Sequence, residues 1–375
     1  TLEARIVGVL AELADGEHAE AVDLDTDFGR LGLNSLELMR LAARLGQTLE
    51  RPVPISLLLE HRSVAALAQA IEAGQHWTPI VPMNGAGAPA AAAPAHPPFV
   101  CVHPVAGDVS VFLDLARAMP GAIPFWAIQA AGLEQGQEPL DSIEALARAN
   151  LQALAARGMP HPRWVGGYSF GALVAFEMAR QLDAAGTPPE RVVIIDAPAP
   201  LERASILPAD PDRAHAQWLV RMADVRTRFQ GMPPVLGLDE LLAVPADQRY
   251  CLAVQRLHAA RLLPPAAGAD WLARAHRTSL VQYQAYLRYA PAPSPARRLP
   301  LAVIRASAPQ ASDLGERENR LLAQADLGWA SFTEAPIPTH AVPGDHVTML
   351  AADTAPAVAR AITRILLGEH LPAAG

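Results

Sequence analysis

The stretch that decides the fold is RWVGGYSFGALVAFEMARQL, residues 163–182, in which a short apolar run meets a helical pattern. The run before the turn has the length of a buried strand, and the apolar residues after it recur at helical spacing. Between them lies GYSFG, a GxSxG element centred on Ser169. Its glycines permit a tight strand-to-helix turn that lifts the serine hydroxyl clear of the sheet. We therefore predict a nucleophilic serine here; the alternative is an ordinary glycine-rich turn.

Short apolar strands and longer amphipathic helices alternate on both sides of this turn. The predicted strands are PFVCVH, FWAIQA, RWVGGYS, RVVIID and LAVIRA. This order predicts an α/β fold, with a mostly parallel sheet and helices on both faces. From about Pro198 to Pro300 the alternation gives way to a long, largely helical stretch that is too long for a simple connection. We predict that it is a helical lid insertion, at about residues 199–299.

A serine hydroxyl needs a base to take its proton and a carboxylate to hold that base. The strand RVVIID ends in Asp196, where an acid closing an apolar run needs a partner; a cap of the following turn is the alternative. His346 lies in the loop AVPGDHVTML, where the chain order of α/β-hydrolases requires the base. His340 is its rival, but in the preceding strand its side chain would follow the pleat. Asp345 is interpreted as part of the loop structure.

Two backbone amides are predicted to complete this site. The first strand ends in HPVAG, and an amide in such a turn can form half of an oxyanion hole. The other half is the amide after the nucleophile. Val105 and Phe170 are therefore the predicted donors, and His103 is interpreted as a hydrogen-bonded residue at a strand end.

The segment VQYQAYLRY carries Tyr283, Tyr286 and Tyr289 at three-residue spacing. This spacing places the three rings on one helix face. We predict that the face packs the lid, with lining of a cleft as the alternative.

Residues 1–73 show helical spacing of apolar residues in ARIVGVLAEL, SLELMRLAARL and VAALAQAIEA, which predicts a small helical bundle. Residues 1–74 hold 12 acidic and 6 basic residues, most of the net charge of -8 on the chain. A segment rich in Gly, Ala and Pro follows, with a short apolar run around Ile80 that fits an early strand. We place the domain boundary near Gly74.

Composition excludes several classes of protein. The 375 residues are 51% hydrophobic and 18% charged, which excludes a disordered chain, and no apolar run reaches the ~18 residues of a membrane span. Cys101 and Cys251 fit neither a disulfide framework nor a metal site. We expect a cytoplasmic protein with no metal, no membrane and no nucleic-acid partner. Thr1 opens the chain without a leader, so a piece of something longer is expected.

Ser35 begins a helical pattern after a glycine-containing loop, so by local rules it is a capping or first-turn residue. However, LGLNSLELMRLAARL resembles the prosthetic-group motif of acyl and peptidyl carrier domains. The resemblance implies a four-helix bundle over residues 1–74, with 4'-phosphopantetheine attached covalently to Ser35 by a phosphopantetheinyl transferase. Asn34 departs from the aspartate that usually precedes the serine in acyl carriers, so peptide and polyketide systems both stay open.

From about Pro79 onward the chain resembles the type I thioesterases that terminate nonribosomal peptide and polyketide synthases. The matching stretches are VPMN, PPFVCVHPVAG, GYSFGALVAFEMARQL, VVIIDAPAP and VPGDHVTML. The resemblance implies a linker and leading strand over residues 75–98 and an α/β-hydrolase domain over residues 99–375. It implies Ser169, Asp196 and His346 as the catalytic triad.

Together the two resemblances imply a chain-releasing thioesterase that frees an acyl or peptidyl chain by hydrolysis or macrocyclisation. Its partners would be upstream synthase modules and its acyl or peptidyl substrate. Acyl transfer to an external amine or alcohol, and a hydrolase-like acyl-binding module without turnover, are the alternatives.

Overall fold

A computed structural model describes residues 1–13, 23–25, 28, 35–51, 53–74, 77–84, 95–201, 205–263, 267–292, 299–308 and 321–368. Most of the predicted acidic loop of the bundle, including Asn34, and most of the linker lie outside these ranges. The first four helices are α1 (Leu2–Leu13), α2 (Ser35–Leu49), α3 (Ile55–Glu60) and α4 (Val64–Glu72).

These four helices form a bundle around their own apolar core. Ile6, Leu41 and Leu67 are fully buried there, because each lies on the apolar stripe of its helix. The Ser63 hydroxyl accepts a hydrogen bond from the Ala66 amide at 3.2 Å, which caps the start of α4. The short helix α3 is the one element of the bundle that had no helical pattern of its own in the sequence.

Seven strands of the described residues form one sheet in the order β1-β3-β2-β4-β5-β6-β7. They are β1 (Ile80–Pro82), β2 (Phe99–Val102), β3 (Phe125–Ile128), β4 (Trp164–Tyr168), β5 (Arg191–Ile195), β6 (Leu301–Ala306) and β7 (Thr339–Val342). The edge strand β1 runs antiparallel to β3, and all other pairs are parallel. The predicted mostly parallel sheet is therefore present.

Helices cover both faces of this sheet, which is why its central strands are buried along their length. One face packs against α5 (Leu113–Ala118) and α12 (Ala355–Leu367). The other packs against α6 (Ile143–Ala156) and α7 (Phe170–Ala184). Strand β3 lies on one side of β2 and β4 lies on the other, so the direction in which successive strands are added to the sheet changes at β2. Ligands of α/β sheets bind beyond the carboxyl ends of the strands at a switch point of this kind.

The insertion between β5 and β6 is helical, as predicted. It contains α8 (Pro211–Phe229), α9 (Leu238–Leu242), α10 (Arg249–Ala259) and α11 (Ala269–Arg288). These helices bury a core of their own, in which Leu219, Leu241 and Leu257 are almost inaccessible. Of the helices in the described ranges, none is both long enough and apolar enough to cross a membrane.

The bundle lies against the sheet edge. Helix α3 packs on β1, and Leu59 joins the apolar cluster that contains Val81 of β1. Arg157, just after α6, forms an ion pair with Glu60 of α3 at 2.9 Å. The bundle thus contacts the sheet domain through both apolar and charged side chains.

Candidate active site

The turn between β4 and α7 holds Ser169 in a conformation that few L-residues adopt. Its φ is 56° and its ψ is -124°, and its amide donates to the Ile195 carbonyl at 2.9 Å. A Cβ at Gly167 would lie 2.1 Å from the Gly171 carbonyl oxygen, and a Cβ at Gly171 would lie 2.3 Å from that of Val102. The two glycines of the element are therefore required by this close backbone approach.

The three predicted side chains meet above the carboxyl edge of the sheet. The Ser169 hydroxyl lies 3.0 Å from His346 Nε2, and His346 Nδ1 lies 2.8 Å from Asp196 Oδ2. With Nδ1–H donating to the carboxylate, Nε2 is free to accept the serine proton. His340 lies in β7 and takes no part in this arrangement.

Asp196 directly follows β5 with a φ of 49°. Its amide donates to the Ile304 carbonyl at 2.7 Å, and its Oδ1 accepts from the Ala306 amide at 2.8 Å. Burial raises the pKa of this carboxyl, but the hydrogen bond and charge of His346 and the Ala306 amide outweigh burial and lower the pKa below its ordinary value. The carboxylate is thus held ionised and oriented towards the imidazole.

The loop that carries His346 is fastened on both sides. The Tyr168 hydroxyl donates to the His346 carbonyl, and its ring stacks on the imidazole at a centroid distance of 5.1 Å. Asp345 Oδ1 accepts from the Val347 and Thr348 amides at 2.9 Å, and Asp345 Oδ2 lies 2.7 Å from an Arg228 nitrogen of α8. Hydrogen bonds and burial together place the imidazole over the serine.

Val105 and Phe170 both line the cavity beside Ser169. Phe170 is the first residue of α7, so its amide is one of those left without a carbonyl partner inside the helix. Among the described residues, neither the Val105 amide nor the Phe170 amide donates a hydrogen bond to the protein. Both donors therefore remain available to an oxygen beside the serine.

His103 is buried behind this turn and does not line the cavity. Its Nδ1 donates to the Pro104 carbonyl at 2.8 Å, and its ring stacks on Phe170 at 5.9 Å. Burial lowers the pKa of His103 to about 4, so its imidazole is neutral near pH 7. The His103 side chain therefore has a structural role, through its contacts with Pro104 and Phe170.

A cavity of about 360 Å³ extends from the serine to the underside of the lid. Tyr283 and Tyr286 line it, and the Tyr283 ring stacks on Trp218 of α8 at 4.5 Å. Tyr289 is turned elsewhere, because its hydroxyl donates to Glu177 of α7 at 2.7 Å. The prediction of one shared face was wrong for Tyr289, because α11 ends at Arg288. Tyr283 and Tyr286 pack within the lid as predicted, and they also line the cavity, which was the alternative.

Sequence reasoning missed the contribution of α8 to the cavity wall. Arg221, Arg226 and Arg228 line it together with apolar side chains of the same helix. Arginines that interrupt the apolar stripe of a lid helix are a signal that could have drawn attention to α8.

The arrangement defines an α/β-hydrolase with a serine, a histidine and an aspartate in contact at the carboxyl edge of its sheet. The thioesterase domain family matches residues 97–366, and the phosphopantetheine attachment site family matches residues 4–71. The chain therefore belongs to the thioesterase family and carries a carrier domain ahead of it. The predicted family and fold class are confirmed.

The similar sequences include fungal synthetases. The nonribosomal peptide synthetase btyA of Aspergillus terreus is 31% identical over 173 residues, 45% of this chain and 18% of its own length. Atromentin synthetase invA1 of Paxillus involutus is 31% identical over 195 residues, 50% of this chain and 19% of its own. The nonribosomal peptide synthetase ucdA of Aspergillus ustus is 26% identical over 94% of this chain and 36% of its own length. The chain thus spans well under half of these relatives.

Solved structures that share the fold include the following two. A four-domain nonribosomal peptide synthetase, holo-AB3403, matches 99% of this chain and 26% of its own with a TM-score of 0.68 and 22% identity. The Vlm2 thioesterase domain with a bound dodecadepsipeptide matches 76% of this chain and 98% of its own with a TM-score of 0.50 and 20% identity. At these identities the likeness supports the fold alone.

Proposed function

We propose that this chain is the releasing end of a biosynthetic assembly line, in which an acyl or peptidyl chain held by the carrier as a thioester is transferred to Ser169 as an ester and then released. The observation that carries the proposal is the continuous hydrogen-bonded series from Ser169 through His346 to Asp196, at 3.0 and 2.8 Å, at the floor of a cavity under a lid. The carrier domain in the same chain favours a thioester, rather than an ordinary ester, as the substrate.

The carrier bundle suits a 4'-phosphopantetheine group. Ser35 offers the hydroxyl that a phosphodiester requires, and it is the first residue of α2, where the helix dipole favours a phosphate. When bound, the group supplies a thiol that holds the acyl chain as a thioester. A phosphopantetheinyl transferase and upstream synthase modules are the partners that this role requires.

The first half of the reaction forms an ester on Ser169. His346 Nε2 takes the hydroxyl proton as Ser169 Oγ attacks the thioester carbonyl carbon, and Asp196 stabilises the imidazolium that results. The Val105 and Phe170 amides stabilise the negative charge on the carbonyl oxygen. As the C–S bond breaks, His346 returns the proton to the leaving sulfur.

The second half releases the chain. His346 takes a proton from water, or from a hydroxyl or amine of the acyl chain, as that group attacks the ester carbon. The proton then passes to Ser169 Oγ, which restores the enzyme. Attack by water yields a free acid, and attack by a hydroxyl or amine of the acyl chain yields a ring.

The proposal is tested with a soluble N-acetylcysteamine acyl thioester. Ser169→Ala should lower kcat by about 10⁴-fold or more, because the nucleophile is lost. Ser331→Ala is the matched control, since that serine is exposed and is not among the residues that line the cavity. A fluorophosphonate should label the wild type and not Ser169→Ala; wild-type turnover by the variant contradicts the proposal.

The carrier half has a separate test. After treatment with a phosphopantetheinyl transferase and coenzyme A, mass spectrometry should find the adduct on wild type and none on Ser35→Ala. Absence of an adduct on the wild-type chain contradicts this role of Ser35.

A further inference from the structure

Helix α8 presents one mixed face to the cavity. Trp218, Met222, Arg226 and Phe229 recur along it at helical spacing and all line the cavity wall. Three of these are apolar or aromatic. The fourth, Arg226, adds a cationic side chain to the same wall.

The neighbouring arginines of α8 are already engaged. Arg228 pairs with Asp345 at 2.7 Å, and the charge of Arg221 acts on Asp224. Arg226 differs from both. Among the described residues its guanidinium has neither a hydrogen bond nor an ion pair within 4 Å, and it lies over the Trp271 ring, with 5.6 Å between the guanidinium carbon and the ring centroid.

Asp108 is the acidic residue whose charge reaches Arg226. Its carboxylate is occupied locally, because it accepts from the Ser110 amide at 2.6 Å and from the Ser110 hydroxyl at 2.9 Å. Burial lowers the pKa of Arg226, and Asp108 offsets only part of this effect. An arginine is still charged near pH 7, so the fold keeps a half-buried cation whose donors have no acceptor within the part of the chain that the structure describes.

The contact of Arg226 with the Trp271 ring leaves its N–H donors for a ligand. A guanidinium over an aromatic ring is attracted through its charge, and this contact satisfies none of its five N–H donors with an acceptor oxygen. Those donors match the two oxygens of a carboxylate in a bidentate pair. The aromatic wall formed by Trp218, Tyr283 and Tyr286 offers an apolar surface for the chain between such a group and the thioester.

We propose that Arg226 binds a carboxylate carried by the acyl chain and so makes this thioesterase selective for acidic acyl thioesters. The inference rests on the proposed release function and adds the substrate class. A chain with an apolar or aromatic body and an acid remote from the thioester carbonyl would satisfy both Arg226 and the wall around it.

The test compares matched substrates. The N-acetylcysteamine monothioesters of suberic, azelaic and sebacic acids are assayed beside the same compounds with a terminal carboxamide. At least one acid should exceed its carboxamide in kcat/KM by roughly tenfold or more, the value of a charge-assisted hydrogen-bonded pair. Arg226→Gln should reduce the ratio of acid to carboxamide to about one. Arg226→Lys should retain part of the preference, since lysine keeps the charge but lacks the paired N–H donors of a guanidinium.

Arg213→Gln is the control, because Arg213 is exposed on the first turns of the same helix and should keep the wild-type ratio. Equal kcat/KM for acid and carboxamide in the wild type overturns the proposal, as does an unchanged ratio in Arg226→Gln. An effect of Arg226→Gln confined to carrier-bound substrates also overturns it, since that would indicate contact with the carrier arm.

A binding measurement separates this inference from the release function. In the Ser169→Ala background, titration calorimetry with free suberate, azelate and sebacate should show binding that is roughly tenfold weaker when Arg226→Gln is added. If no thioester is turned over but this difference persists, the release function fails and the carboxylate site stands. If turnover is normal and the added substitution weakens binding of none of the three diacids, the site fails alone.

Discussion

Arg228 of the lid helix α8 forms an ion pair of 2.7 Å with Asp345, the residue directly before His346. Because the other Asp345 oxygen accepts the Val347 and Thr348 amides, the lid and the histidine loop share one carboxylate. The pair is partly exposed, with side-chain accessibilities of 36% and 24%, so its own contribution to stability is about 1 kcal/mol or less. Its greater effect is expected on the position of the imidazole.

We predict that Arg228→Gln lowers kcat for a soluble thioester by roughly 3- to 10-fold with a smaller effect on KM, because the imidazole is less well placed. A double-mutant cycle with Asp345→Asn measures the coupling. The two substitutions should be non-additive, and rescue by Arg228→Lys should be partial. Fully additive losses in kcat contradict a role through this pair.

Asp196→Asn should lower kcat by about 10⁴-fold while leaving the fold intact, because an amide at this position favours the wrong imidazole tautomer. Steady-state kinetics and the rate of fluorophosphonate labelling should fall together. Asp353→Asn, at an exposed position after the histidine loop, serves as the control. Retention of wild-type labelling by Asp196→Asn disagrees with the proposed role of the carboxylate.

Gly171→Ala should destabilise the domain by about 3 kcal/mol or more, because the added Cβ lies 2.3 Å from the Val102 carbonyl oxygen and 2.4 Å from that of His103. Strand β2 and helix α7 would have to separate. Urea unfolding measures the difference against Gly121→Ala, where an added Cβ meets nothing within 4 Å. Equal midpoints for the two variants would show that the backbone can adjust.

Two buried histidines predict acid sensitivity. Burial lowers the pKa of His103 and of His276 to about 4 from an ordinary value of 6.5. The unfolded chain therefore binds more protons between these pH values, so the free energy of unfolding falls as pH drops from 6.5 to 4, by roughly 3 kcal/mol for each group. Above pH 6.5 this contribution is fully present.

His276→Gln tests the slope, because glutamine does not titrate. Urea unfolding at a series of pH values should show a shallower loss of stability below pH 6.5 than in the wild type. His161→Asn, at an exposed position, should keep the wild-type slope. A slope in His276→Gln equal to that of the wild type would assign the acid sensitivity to other groups.

The sheet and the three contacting side chains could be predicted because their signals are local. Ser169, Asp196 and His346 each follow a strand directly or within a short loop, and parallel strands bring their carboxyl ends to one edge. The wall supplied by α8 could not be predicted in this way. That Arg221, Arg226 and Arg228 all line the cavity, and that Arg228 is the one that pairs with Asp345, depends on how the inserted helices rotate as they pack on one another.

Tyr289 illustrates the same limit at a single position. Three-residue spacing placed it with Tyr283, but the helix ends one residue earlier and a buried Glu177 is in reach of its hydroxyl. Spacing describes a continuous helix, whereas the partner of a buried hydroxyl is chosen by the tertiary fold.

Among the described residues, β1 pairs with a strand on one side only. Helix α3 packs against β1, and Val81 of this strand is fully buried. Removing residues 1–74 would expose this edge of the sheet, and an exposed edge strand can pair with a strand from another copy of the chain. A thioesterase expressed without its bundle should therefore self-associate in sedimentation experiments. We therefore expect the bundle to protect the sheet from aggregation, in addition to its proposed role in delivering an acyl chain.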